Sequence, residues 1–221
     1  MRELDCGGLH LAVFDEADPR PRPVLWLNVS APEDGAAAAA QLAGRCSLLC
    51  AVCDDWDRDL TPWPAPALNG RREAFAGGGP ARLQRLLAAL PQAEAQLAHP
   101  VTRRGIAGYS LAGLFALDAL LRCDAFAGAA SVSGSLWYDG WAEWAQRQAL
   151  PVPRPPLYLS LGDREAAVRN PRMAQNAQRT QQLAAHWAQQ TEVCFAWNSG
   201  GHFDDADGRT ARGAVWLAAR L

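Results

Sequence analysis

An α/β fold, with a mostly parallel sheet flanked by helices, is what three observations on this chain predict. Short apolar runs alternate with longer helical stretches from about Pro23 to the end, the pattern of strands covered by helices. The segment 103–115 passes from an apolar run through a serine into a second apolar stretch, which reads as strand, sharp turn and helix. The 221 residues are 49% hydrophobic, enough for one good core, so a single domain spanning 1–221 is expected.

Each element follows from its residues. Strand 9–14 alternates His10 with apolar neighbours, and strand 24–29 is an apolar run that begins after Pro21 and Pro23. Further short apolar runs place strands at 47–53, 105–109, 126–131, 157–161 and 193–197. Helices are expected at 35–43, where alanines run together, and at 81–97, 111–121, 141–148, 173–190 and 210–221. Asp204, Asp205 and Asp207 precede the last of these, where acids suit the positive end of a helix. From 54 to 79 proline, glycine and aromatic residues dominate, and a loop of that length in a compact domain is functional or disordered. Trp56, Trp63 and Phe75 argue for order and for a place near an active site.

Composition excludes several classes of function. The net charge is −2 and no stretch concentrates arginine on one face, so nucleic acid and anionic membranes are not expected partners; a small molecule is. All 21 basic residues are arginine, which removes Schiff-base lysines, lysine nucleophiles and the Walker lysine. The start, Met1 to Cys6, carries acids and no apolar segment behind a basic flank, so it does not read as a secretory signal, and no window is long enough to span a membrane. Cytoplasmic residence is expected. Cys46, Cys50 and Cys53 fall in and beside one apolar strand, where positions three apart point to opposite faces and do not converge on one metal. They, with Cys6, Cys123 and Cys194, read as small buried hydrophobes. No cofactor and no metal are called for.

The chemistry is carried by Gly108-Tyr109-Ser110-Leu111-Ala112-Gly113. A serine between strand and helix, flanked by small residues where the two elements nearly touch, is a nucleophile elbow. The usual G-x-S-x-G is met except that Ala112 holds the fifth place and glycine follows it. Ser110 needs a base, and His202, after a glycine pair at the end of the last predicted strand, has the placement for it. His10, His99 and His186 sit in a strand, a turn and a helix and read as structural or solvated. The acid that orients His202 is Glu165, three residues beyond Gly162, with Asp163 as the alternative. Serine, acid, histidine is the α/β-hydrolase chain order. For the oxyanion, the Leu111 amide is one expected donor, and the loop after strand 24–29 supplies Val29 or Ser30 as the other. Arg58, Arg169, Trp56, Trp63, Tyr109 and Trp137 are candidates for substrate contact.

The elbow, together with Ser131-Val132-Ser133-Gly134-Ser135-Leu136-Trp137-Tyr138, Leu161-Gly162-Asp163-Arg164-Glu165, Arg169-Asn170-Pro171 and Gly200-Gly201-His202-Phe203, resembles the putative esterase family of α/β-hydrolases. That family includes enterochelin (ferric siderophore) esterases, esterase D and related acyltransferases. The resemblance implies Ser110 as nucleophile, His202 as base and the segment ending in Trp137 as the flank of the serine. Some siderophore esterases of this kind work with a serine–histidine dyad, so the resemblance leaves the acid open. The expected activity is hydrolysis of a carboxylic ester through an acyl-enzyme; the alternatives are a siderophore esterase, an acyltransferase, or a noncatalytic binding protein on the same fold.

Overall fold

A computed structural model describes residues 1–68 and 73–221 of the protein. In chain order the strands are β1 (Arg2–Cys6), β2 (Leu9–Phe14), β3 (Arg22–Val29), β4 (Ser47–Val52), β5 (Pro64–Ala65), β6 (Phe75–Ala76), β7 (Val101–Tyr109), β8 (Gly128–Val132), β9 (Leu157–Gly162) and β10 (Val193–Asn198). The helices are α1 (Ala36–Leu42), α2 (Trp56–Asp59), α3 (Gly79–Glu94), α4 (Leu111–Arg122), α5 (Trp141–Ala145), α6 (Asn176–Trp187) and α7 (Ala206–Ala218). Eight strands form one sheet in the order β1-β2-β4-β3-β7-β8-β9-β10, and β5 pairs with β6 apart from it. From β4 to β10 every neighbouring pair is parallel, while β1 and β2 join antiparallel at one edge.

The strands of the parallel part are apolar on both faces because both are covered. Along β3, Val24 and Trp26 enter one layer with Leu86 of α3 and Leu114 of α4, whereas Leu25 and Leu27 enter the other with Leu42 of α1 and Leu217 of α7. All eight of these side chains are fully or almost fully buried, each worth roughly 1.5–3 kcal/mol of transfer free energy. The same alternation separates the thiols: Cys50 joins the α1–α7 layer and Cys53 the opposite one. Burial pushes the Cys46 thiol up to about 12, as befits a sulfur used as packing.

Three features depart from expectation. β1 is a strand although its sequence is charged, because it lies at the sheet edge, where Arg2, Glu3 and Asp5 face water and discourage further pairing. Its turn is Gly7-Gly8, both at positive φ, with Cys6 opposite Leu9, the geometry of a two-residue hairpin. His10 sits opposite Asp5, and donating a hydrogen bond to that carboxylate raises the imidazole above its usual value. The stretch read as a loop, 54–79, contains α2, capped by the Asp55 side chain on the Arg58 amide, and the β5–β6 pair; its residues 69–72 lie outside the described ones. The helix expected over 173–190 is shorter, a 3-10 turn at Met173–Gln175 leading into α6.

The carboxyl edge of the sheet is braced from below by a buried arginine. Arg82 of α3 donates through Nε to the Asn28 side chain at 2.8 Å and through one terminal nitrogen to the carbonyls of Ala51 and Val52 at 3.0 Å each. Arg82 therefore ties β3, through Asn28, and β4 to α3.

Candidate active site

Ser110 stands between β7 and α4 with φ 59° and ψ −122°, a region an L-residue enters only when its surroundings hold it there. Gly108 makes the turn possible: a Cβ on it would lie 2.1 Å from the Ala112 carbonyl oxygen, so strand and helix touch through backbone alone. Ala112 takes the place where glycine is usual because its methyl faces that bare backbone. The Ser110 amide donates to the Val132 carbonyl at 3.0 Å, and the Ser110 carbonyl accepts the Ser135 amide at 3.0 Å. The serine-rich segment after β8 thus cradles the elbow, as its resemblance implied.

His202 reaches the elbow from the turn after β10. Its Nε2 lies 2.9 Å from the Ser110 Oγ and its Nδ1 lies 2.8 Å from Glu165 Oε2. With Nδ1–H donating to the carboxylate, the Nε2 lone pair is left for the serine hydroxyl proton. The Tyr109 hydroxyl donates to the His202 backbone carbonyl, which holds the loop over the sheet edge. Glu165 is 6% exposed. Burial alone raises its carboxyl, but hydrogen bonds from His202, the Gly162 amide and the Ser133 hydroxyl outweigh this and hold it below the ordinary carboxylate range. Asp163 points elsewhere: its Oδ1 accepts the Gly200 amide at 2.9 Å. Between the two acids, the geometry brings Glu165 to the imidazole and uses Asp163 to shape the histidine loop.

Leu111 opens α4, so its amide lacks an intrahelical acceptor and faces the space beside Ser110 with the positive end of the helix. Val29 ends β3 one residue past the Asn28–Gly108 pair, level with Tyr109. Beside Ser110 lies a cavity of about 220 Å³ whose walls include Trp56, Phe75, Leu111, Trp137, Met173 and Phe203. A cavity of about 150 Å³ suffices to hold a benzene ring. A second cavity of about 250 Å³, walled by Val29, Ser30, Trp56, Tyr109 and Asp207, adjoins it. Trp56 separates the two.

Of the six residues singled out for substrate contact, Trp56, Tyr109 and Trp137 line these cavities. The other three lie outside the walls of both. Trp63 is spent on packing, edge-on to Tyr138 and Trp144, with its Nε1–H donating to the Asp139 carbonyl at 3.0 Å. Arg58 pairs with Asp59 at 2.7 Å and Asp55 at 3.4 Å. Arg169 is exposed and lines neither cavity. The arginine that does serve the wall is Arg172, whose guanidinium lies 5.4 Å over the Trp137 ring and donates to Asp139 and to the carbonyls of Pro66 and Ala67. Asn176 was equally silent in the sequence; its side chain accepts the Trp137 amide and donates to the Gly134 carbonyl. Neither has a sequence signal, because each acts through backbone distant in the chain.

A second serine–histidine contact lies at the other edge of the sheet. Ser47 Oγ is 2.7 Å from His99 Nε2, but its hydroxyl is committed to Asp15 at 2.6 Å and the His99 side chain is wholly enclosed. This trio pins the start of β4 to the segment before β7. Ser47 opens a strand and is not the turn between a strand and a helix. Among the described residues no group of three or more metal-ligating side chains converges, and no helix is long and apolar enough to cross a membrane.

A hydrogen-bonded serine, histidine and glutamate at the carboxyl edge of a mostly parallel sheet define an α/β-hydrolase-like protein. The family model described as "Putative esterase" matches residues 57–210, and the chain belongs to that family. It is 31% identical over 111 residues to the uncharacterized protein YbbA of Bacillus subtilis (strain 168), a match spanning 48% of this chain and 44% of that protein. Its fold is similar to that of the siderophore hydrolase EstA from Aspergillus nidulans, with a TM-score of 0.73 and 19% identity over 96% of this chain and 90% of that one. An IroE-like serine hydrolase from Shewanella oneidensis gives a TM-score of 0.75 and 15% identity over 96% and 76%.

Proposed function

We propose that this protein is a serine hydrolase of carboxylic esters acting through an acyl-enzyme on Ser110. The observation that carries the reading is the unbroken chain from Ser110 Oγ to His202 Nε2 at 2.9 Å and from His202 Nδ1 to Glu165 at 2.8 Å. In the first half-reaction His202 takes the hydroxyl proton as Ser110 Oγ bonds to the ester carbonyl carbon. The carbonyl π electrons move to oxygen, where the Leu111 amide is one donor and the Val29 amide the proposed second. The tetrahedral species expels the alcohol, protonated by the imidazolium. In the second half-reaction water, deprotonated by His202, attacks the acyl carbon, and Ser110 leaves with the returned proton. Glu165 holds the tautomer and faces the imidazolium throughout.

The substrate is a small-molecule ester. The free thiols of this chain suit the reducing cytoplasm. Neighbours titled siderophore hydrolases support a siderophore ester as the second reading, and acyl transfer to an alcohol would use the same residues.

The test is fluorophosphonate labelling of the purified protein followed by peptide mapping. An adduct confined to Ser110, lost in His202→Ala, is expected; a folded wild type that stays unlabelled defeats the proposal. A panel of simple esters and ferric siderophores, with added alcohols, then separates the three acyl chemistries.

A further inference from the structure

Arg209 is absent from the chemistry above, yet its guanidinium touches three of the loops that build the site. It belongs to the first turn of α7 and is wholly buried, at 0% exposure. One terminal nitrogen donates to Glu165 Oε1 at 3.1 Å and to the Ser133 hydroxyl oxygen at 3.3 Å; the other donates to the Ser199 carbonyl at 2.8 Å. Those three partners come from the loops after β8, β9 and β10. The loop after β9 carries the acid and the loop after β10 carries the histidine.

The fit is close enough to dictate a neighbouring residue. A Cβ at Gly162 would lie 3.0 Å from both terminal nitrogens of Arg209 and 2.3 Å from the Gly200 carbonyl oxygen. The glycine that begins the Gly162-Asp163-Arg164-Glu165 turn is required by the Gly200 carbonyl, and its bare Cα also leaves the guanidinium its room.

Glu165 has two oxygens with two different tasks. Oε2 faces His202 at 2.8 Å, while Oε1 takes the Gly162 amide at 2.6 Å, the Ser133 hydroxyl at 2.7 Å and Arg209. An enclosed cation beside an enclosed carboxylate cancels part of the field that carboxylate exerts on the imidazole. From this geometry we infer that Arg209 is the positioning residue of the site. It fixes the Oε2 direction, and its positive charge offsets part of the field that Glu165 exerts on His202. The inference rests on the serine-hydrolase reading.

The sign follows from the charges. Removing the cation leaves Glu165 more negative toward His202, which favours imidazolium, and it also makes Glu165 itself easier to protonate. The first effect displaces the acid limb of kcat/KM to higher pH. Other titratable groups facing the site are the exposed Arg164–Asp204 pair, Asp163, Asp57 on the cavity wall and the Tyr109 hydroxyl, and none of them is changed by the test.

The experiment is the pH profile of ester hydrolysis for Arg209→Gln, Arg209→Met and Arg209→Lys, each verified as folded by its melting transition. Either neutral variant that folds is expected to move the acid limb up by about one pH unit. Arg209→Lys is expected to keep the wild-type limb and lose kcat several-fold, because a single ammonium does not span three loops. A neutral variant with the wild-type limb, or a lysine variant displaced as far as the neutral ones, overturns the inference. Wild-type labelling at Ser110 is scored separately, so failure of the hydrolase reading and failure of the Arg209 role are distinguishable.

Discussion

At the scale of single residues, the site is a set of side chains each left with one unsatisfied capacity. His202 spends Nδ1 on Glu165 and keeps Nε2 for Ser110; Glu165 has Oε1 saturated and Oε2 directed. Ser110→Ala and His202→Ala are each expected to cut kcat by about 10⁴-fold or more, since nucleophile and base act as one unit, and a stopped assay on the purified variants checks this. Glu165→Gln keeps the shape but offers an amide where Nδ1–H needs a carboxylate. It is expected to lose about 10²–10⁴-fold in kcat. Asp163→Asn changes an acceptor of the Gly200 amide and is expected to cost less than tenfold, within the ~1 kcal/mol of one hydrogen bond. Parallel kinetics on the two variants decide the acid, and a reversed order reassigns it.

At the scale of elements, two devices hold the elbow and its pocket. The β7–α4 crossing leaves no room at Gly108, where a Cβ would come within 2.2 Å of the Ala112 carbonyl carbon. Gly108→Ala is therefore expected to destabilise the fold by at least about 2 kcal/mol through forced displacement of α4, read from the urea midpoint. Arg172 is the second device, spanning from the segment before α6 to the carbonyls of Pro66 and Ala67 and lying over Trp137. Arg172→Ala removes a charged donor and a cation–π contact from the cavity wall. It is expected to raise KM about fivefold, or ~1 kcal/mol, with kcat little changed, because no Arg172 contact involves Ser110, His202 or Glu165. Much of this scale was legible: the seven strands expected from apolar runs all exist, 9–14 with its expected bounds and the other six with one or both ends shifted. β1 was hidden because an edge strand needs no apolar pattern, and the β5–β6 pair because two-residue strands carry no periodicity.

At the scale of the molecule, acid sensitivity follows from the buried carboxylate. The folded protein holds Glu165 below the ordinary carboxylate range, whereas the unfolded chain returns it to about 4.3. As pH falls, the unfolded state binds that proton first. The stability this group contributes is thus complete above about pH 5 and is lost as pH drops through the depressed folded value. Urea midpoints of wild type and Glu165→Gln are expected to converge between about pH 5 and pH 3; a constant gap across that range would show that Glu165 is not a source of acid sensitivity.

The residues alone pointed to the class of the fold, the turn at Ser110, His202 as its partner and two acids beyond Gly162, Glu165 and Asp163. These are local facts: a strand, a turn and a helix are built from contiguous residues, and the placement of Ser110, Glu165 and His202 at strand ends follows from chain order. Tertiary structure alone decided which acid turns toward the imidazole, which aromatic rings wall the cavity and which arginines are used inside the protein. Arg209, Arg172 and Asn176 meet partners 10 to 106 residues away along the chain, so nothing beside them in sequence marks their use. Arg58 and Arg169 looked equally suited to a ligand, and only the folded surroundings show one bound to carboxylates and the other turned to water.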